Sequence, residues 1–177
     1  MKKLILLAML IGAALSAEAQ KGKHFSKNAI GIRLAGSFDG RGADVSYQRA
    51  VLTNNRLEFN LGVRNNNKEI DAVKLAALFQ WVFNIEGGFN WYVGAGGGLG
   101  SYKRAYNKYY YDNDYYYNNG YPDDKGVFVF VAGDIGLEYN FDIPLQIAVD
   151  FRPEIGSNQF YDDTIGADVG IAVRYRF

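Results

Sequence analysis

Few residues in this 177-residue chain are equipped for catalysis. There is one histidine, His24, and no cysteine. Histidine is the usual general base near neutral pH, and His24 stands before the first regular pattern of the chain. It reads as a solvated tail residue, so no catalytic residue is assigned, although a site built from carboxylates alone stays open. Residues 91–101, "WYVGAGGGLGS", invite a phosphate-loop reading. No G-x-G-x-x-G can be placed in them, however, and neither Gly-Lys-Ser/Thr nor a helix pattern follows. Gly94, Gly96, Gly98 and Gly100 are better read as making room for Phe128 and Phe130 on a neighbouring strand. Carboxylate pairs at Asp112/Asp114, Asp123/Asp124 and Asp162/Asp163 lack the spacing of a calcium loop, so no metal or other cofactor is expected. Residues 106–121, "YNKYYYDNDYYYNNGY", hold eight of the fourteen tyrosines. Such a Tyr/Asn/Asp/Gly mixture suits contact surfaces, because tyrosine gives large amphipathic contact at low entropic cost.

The elements that hold these residues follow from the ends and from the periodicity. Lys2 and Lys3 precede an apolar run from Leu4 to Leu15, and Ala17-Glu18-Ala19 supplies a small-x-small cleavage pattern. The run is shorter than the roughly 20 residues of a spanning helix and reads as a leader, residues 1–19, removed on export. Residues 20–177 then form one domain. With no cysteine, that domain carries neither a lipid anchor nor a disulfide. A formal net charge of zero argues against nucleic acid as a partner.

The dominant pattern has period two. In "RLEFNLGVR" Leu57, Phe59, Leu61 and Val63 share one face, with Arg56, Glu58, Asn60 and Arg64 on the other. Eight segments behave this way, at about 29–38, 43–51, 56–64, 72–84, 89–102, 126–141, 145–154 and 164–177. Tight turns, "LTNN", "EGG" and "DIP", alternate with other connections, of which residues 103–125 are the longest; Asn119-Gly120 is the expected turn within it. The apolar faces carry a single charge, Arg49. The opposite faces carry Arg33, Asp44, Arg56, Glu58, Arg64, Lys74, Asp134, Glu138, Asp150, Arg152, Glu154, Asp168, Arg174 and Arg176, seven basic and seven acidic groups. A soluble barrel would turn its apolar face inward, and so would a β-sandwich. The solvent faces these alternatives require are poor in Lys and Glu. Fourteen balanced charges instead suit a closed lumen in which each ion finds a partner. The pattern therefore predicts an all-β fold, an eight-stranded antiparallel up-and-down barrel with lipid outside and charge inside. Aromatics at the short-turn ends (Trp81, Phe83, Trp91, Tyr139, Phe141, Tyr175, Phe177) and at the opposite end (Phe38, Phe151) suit two interfacial belts.

Leader, eight alternating strands and a last strand "VGIAVRYRF" together resemble the small outer-membrane β-barrel proteins of Gram-negative bacteria. That family includes outer-membrane protein X, the barrel domain of outer-membrane protein A and domains described as porin-family. The resemblance implies residence in the outer membrane, with outer-membrane lipid and lipopolysaccharide as surroundings. It further implies delivery by periplasmic chaperones to the outer-membrane assembly machinery. Phe177, Tyr175, Val173, Ile171 and Val169 occupy the positions of the signal which that machinery reads. For function, a structural and surface-interaction role comes first. It would act through an extracellular partner of loop 103–125 and its Tyr109, Tyr110, Tyr111, Tyr115, Tyr116, Tyr117 and Tyr121. A narrow conduit for ions or a small solute comes second, and a surface enzyme acting on lipid A last, for want of histidine.

Overall fold

The computed structural model describes residues 26–37, 40–66, 70–104, 110–112, 115–117, 124–157 and 165–177. The leader, His24, Phe38, Tyr109, Tyr121, the Asn119-Gly120 pair, and Asp114, Asp123, Asp162 and Asp163 lie outside the described residues. The described residues form ten strands: β1 (Asn28–Ser37), β2 (Gly40–Leu52), β3 (Asn55–Asn66), β4 (Ile70–Glu86), β5 (Phe89–Arg104), β6 (Tyr110–Asp112), β7 (Tyr115–Tyr117), β8 (Asp124–Asn140), β9 (Leu145–Ser157) and β10 (Ile165–Arg176). Eight close into an antiparallel barrel in the order β1-β10-β9-β8-β5-β4-β3-β2, while β6 and β7 form a separate two-stranded sheet. Strand neighbours in sequence are neighbours in space, as an up-and-down meander requires.

Period-two alternation selects the faces. Ile32 is 59% exposed and Val131 60%, whereas Arg33 and Glu58 are 0% exposed. A soluble domain of this size would not show a continuous apolar exterior around its whole girth; a bilayer-facing barrel must. The seam is closed by β1 and β10, with Ile30 opposite Tyr175, Ile32 opposite Val173 and Leu34 opposite Ile171. Reciprocal backbone bonds between Asn28 and Phe177, 3.0 and 2.9 Å, tie its end. Val169, Ile171, Val173, Tyr175 and Phe177 all lie exposed on the outer face of this closing strand.

Both ends of the barrel chain and the tight turns at 53–54, 87–88 and 141–144 share one end of the barrel. Gly87 sits in its turn at φ 56°, a conformation that glycine adopts without steric cost. At this end Phe83 stacks on Trp91 (4.6 Å between ring centroids), and Tyr139 lies against Phe89 (4.5 Å) and Phe141 (4.7 Å).

Three expectations are corrected. Six of the barrel strands run further toward the loop end than the alternation suggested, β2 and β9 by three residues and β3, β4, β5 and β8 by two. Charged residues read as loop are therefore paired: Lys103 with Lys125, and Arg104 with Asp124. This extension adds Arg41, Asp71, Lys103 and Lys125 to Arg49 as outward-facing charges, all five exposed. Because β9 also continues, to Ser157, Phe151 sits at mid-strand opposite Ile135 and Val169 rather than in a belt. Within the long connection, Tyr110–Asp112 pair with Tyr115–Tyr117.

Candidate functional site: the filled lumen

Inward positions of the strands build a continuous polar network. Toward the loop end, Arg33 of β1 donates from Nε to both Asp150 oxygens (3.0 Å each), and its Nη2 also reaches Asp150. Its Nη1 reaches Asp44 (3.1 Å) and Asp168 (3.2 Å). Arg64 closes the group, donating to both Asp44 oxygens (2.5 and 3.0 Å) and to Asp168 (3.0 Å). These guanidiniums need flat space beside a strand, and glycine provides it. A Cβ at Gly170 would overlap the Arg33 guanidinium, and one at Gly42 would come within 2.6 Å of Arg64 Cδ.

The next layer is centred on Glu58. Its Oε1 accepts from Arg152 Nη2 (2.6 Å), Arg174 Nη2 (3.0 Å), Asn60 (3.1 Å) and Ser46 (3.3 Å). Oε2 accepts from Gln48 (2.7 Å) and Gln80 (3.0 Å). Those partners come from β2, β3, β4, β9 and β10, so one carboxylate ties together strands from opposite walls. Arg152 Nε reaches Asp134 (3.2 Å) and Asp150 (3.4 Å), which links this layer to the Arg33 group. Gln80 also donates to Asp134.

Toward the turn end, Arg56 pairs with Glu138 (2.6 Å), donates to Gln80 Oε1 (2.5 Å) and lies 4.8 Å over the ring of Tyr92. Glu138 accepts in addition from Asn90, Asn140 and Gln146 at 3.0–3.2 Å. Back at the loop end, Lys74 and Glu154 form a further pair, with Nζ 2.5 Å from both oxygens and 4.4 Å over the ring of Phe130.

The loop-end half of the wall on β4, β5 and β8 is mostly apolar: Ala72, Ala76, Leu78, Tyr102, Phe128, Phe130 and Ala132 form one buried cluster. Here glycines face rings. A Cβ on Gly98 would approach Phe130 Cζ to 2.6 Å, one on Gly100 would overlap Phe128, and one on Gly126 would sit 2.6 Å from the Tyr102 ring and hydroxyl.

Thirteen of the fourteen inward charges are buried and joined in this way. The fourteenth, Arg176, differs: it is half-buried at the mouth and donates to the carbonyls of Phe141 and Ile143 in the β8–β9 turn. As the last residue of its strand, it lies beside that turn. Of the neutral members, Asn60 was placed on the inward face from the sequence, and Ser46, Gln48, Gln80, Asn90, Asn140 and Gln146 were not singled out. Their inward parity was the available signal. Tyr110–Asp112 and Tyr115–Tyr117 stand in the β6–β7 hairpin, outside the barrel sheet.

Chemically, the network leaves little room for a guest. Two interior cavities of about 10 Å³ each lie on either side of the Glu58 layer, each with space for about one water. Among the described residues no group of three or more His, Cys, Asp or Glu is arranged to hold a metal ion; Asp44, Asp150 and Asp168 face guanidiniums instead.

No family model and no curated protein matches the sequence. Solved structures do match. Neisserial surface protein A (NspA) superposes with a TM-score of 0.64 at 12% identity, covering 85% of this chain and 96% of that one. The N-terminal β-barrel domain of Pseudomonas aeruginosa OprF gives 0.58 at 16% identity, with 86% and 100% covered. Ail, the attachment invasion locus protein of Yersinia pestis, gives 0.54 at 15% identity, with 86% and 97% covered. With its closed eight-stranded meander, bare apolar exterior and polar interior, the chain has the fold of the small outer-membrane β-barrel proteins.

Proposed function

We propose that this chain is an integral outer-membrane protein, exported by its cleaved leader, whose lumen is a structural plug and whose work is done at its outward surface. The observation that carries the reading is the Glu58 layer. A carboxylate taking six hydrogen bonds from side chains on five strands blocks the bore, and opening a path through it would strand buried ions at several kcal/mol each. Eight strands enclose only enough space for side chains to fill. Ser46, whose hydroxyl lies on the Glu58 carboxylate, is fully buried within the plug, which is in keeping with a role other than catalysis. Val169, Ile171, Val173, Tyr175 and Phe177 would serve as the signal for the assembly machinery. The tyrosines of loop 103–125 would meet an extracellular partner. One fold neighbour, Ail, has been crystallised with a heparin analogue, sucrose octasulfate, which is in keeping with surface contact as a use of such barrels.

Two measurements test this. Heat-dependent gel mobility and recovery in the outer-membrane fraction are expected; a freely soluble product would overturn the placement. In planar bilayers the purified protein is expected to give no reproducible conductance steps. Regular steps whose size changes with substitution at Arg152 or Arg174 would replace the plug with a conduit.

A further inference from the structure

The buried charges of the lumen come close to balance over the whole bore but not over its two halves. Strands β1–β4 send in Arg33, Arg56, Arg64 and Lys74 against Asp44 and Glu58, four cations to two carboxylates. Strands β8–β10 send in Asp134, Glu138, Asp150, Glu154 and Asp168 against Arg152 and Arg174, five carboxylates to two cations. Among the described side chains β5 adds no buried charge. The connection between β5 and β8 thus divides the chain into an N-terminal half with a positive inner face and a C-terminal half with a negative one.

The ion pairs follow this division. Among the described residues, seven pairs join one half to the other, and four lie within a half. Arg33 takes Asp44 from its own half, 11 residues away, but Asp150 and Asp168 from 117 and 135 residues away. Arg56–Glu138, Arg64–Asp168 and Lys74–Glu154 likewise run from the positive half to the negative. Charge acts at a distance where packing does not. Before β1 and β10 meet, water still reaches the inner faces, and opposite net charges attract over a Debye length of about 8–10 Å at physiological salt. Two N-terminal halves from different chains repel, as do two C-terminal halves, and such like-charge juxtaposition suppresses wrong partners. The outward apolar faces cannot discriminate in this way, because they are alike on both halves.

We propose that the lumen charges steer closure of the barrel: the positive inner face of β1–β4 draws in the negative inner face of β8–β10, and this attraction brings the β1–β10 seam together. In the closed state these charges fill the bore; during closure they guide it. The inference concerns how the barrel closes and holds whether or not the closed lumen conducts.

Salt separates the two stages. Hydrated charges are screened, with a Debye length of about 3 Å at 1 M, whereas buried pairs are screened much less. The chain from residue 20 onward is refolded from urea into zwitterionic lipid vesicles, which carry no net charge, and closure is followed by heat-dependent gel mobility. Raising sodium chloride from about 10 mM to about 1 M is expected to slow closure by about threefold or more. The unfolding rate is expected to change by less than about twofold. K74E/E154K exchanges one cross-half pair, keeps opposite charges facing each other, and levels the N-terminal half at three cations to three carboxylates. This variant is expected to close more slowly than the wild type at low salt and to lose most of the salt dependence. R49Q, outward and at the turn end, is expected to keep the wild-type rate and salt dependence. A wild-type closure rate constant within about twofold across the salt range would overturn the steering, and this measurement decides even if the exchanged protein does not fold. A folded K74E/E154K protein that closes at the wild-type rate with the wild-type salt dependence would overturn it as well.

Discussion

The two sides of the lumen fill the same narrow bore by different physics. On β1, β2, β3, β9 and β10 the filling is ionic, with Arg33, Arg64, Arg152 and Arg174 threaded through Asp44, Glu58, Asp150 and Asp168. In the loop-end half of β4, β5 and β8 it is steric, with Tyr102, Phe128 and Phe130 laid across glycines, whereas Gln80, Asp134 and Glu138 further along β4 and β8 join the ionic side. The ionic side is directional. A guanidinium that misses its carboxylate by one register step leaves both buried and unpaired, so this side penalises strand slippage. The aromatic side is tolerant in direction and strict in volume. Lys74 belongs to both, paired with Glu154 and lying over Phe130.

The contrast is broken most severely at Glu58. Glu58→Ala removes the acceptor of six side chains and leaves Arg152 and Arg174 with a charge deficit in the interior. Loss of one partner of a buried ionic group costs about 3–5 kcal/mol. The midpoint of urea unfolding, followed by tryptophan fluorescence and by heat-dependent mobility, is expected to fall accordingly. A change below about 1 kcal/mol would mean that water replaces the carboxylate, and that the layer is not a plug.

The steric side is expected to yield less, and in a different manner. The three atoms nearest a Cβ at Gly126 all belong to Tyr102, so Gly126→Ala should cost about 1–3 kcal/mol by overpacking. Combined with Tyr102→Leu, which withdraws the ring, the cost of the alanine should shrink, giving a double-mutant coupling of about 0.5–3 kcal/mol. Strict additivity would show that the ring and the glycine are not packed against each other. No such rescue is available at Glu58, because no single partner holds it.

How much of this was legible depends on the range of the interaction. Alternation such as Leu57, Phe59, Leu61 and Val63 against Glu58 and Asn60 is a local property of a pleated strand, and it delimits eight strands and assigns their faces. Partner choice is not local. Glu58 meets Arg152 across 94 residues and Arg174 across 116, and only the closed, tilted barrel sets those meetings. Strand ends were misread for a related reason. Lys103 and Lys125 look like loop residues in sequence, and pairing across β5 and β8 makes them strand. Arg176 has the right parity for the lumen, but parity does not reveal that a strand's last residue faces a turn. Ser46, Gln48 and Gln80 escaped notice because charge was counted and neutral hydrogen-bonding capacity was not.

The smallest effect on the barrel is expected where the sequence is most conspicuous. Tyr110–Asp112 and Tyr115–Tyr117 pair only with each other, in a sheet separate from the barrel. Their ladder therefore adds nothing to the closed hydrogen-bond circuit that holds β5 to β8. Replacing Tyr109–Tyr111 and Tyr115–Tyr117 with serine should leave the unfolding midpoint within about 0.5 kcal/mol, the usual range for substitutions away from a packed core, while weakening adhesion of cells that display the protein. A loss comparable to that of Glu58→Ala would mean that the tyrosines brace the long ends of β5 and β8. The loop would then belong with the aromatic wall beneath it, as a third packed region. An unchanged midpoint with reduced adhesion would separate the two roles: the lumen holds the barrel together, and the hairpin is free to vary with whatever it meets.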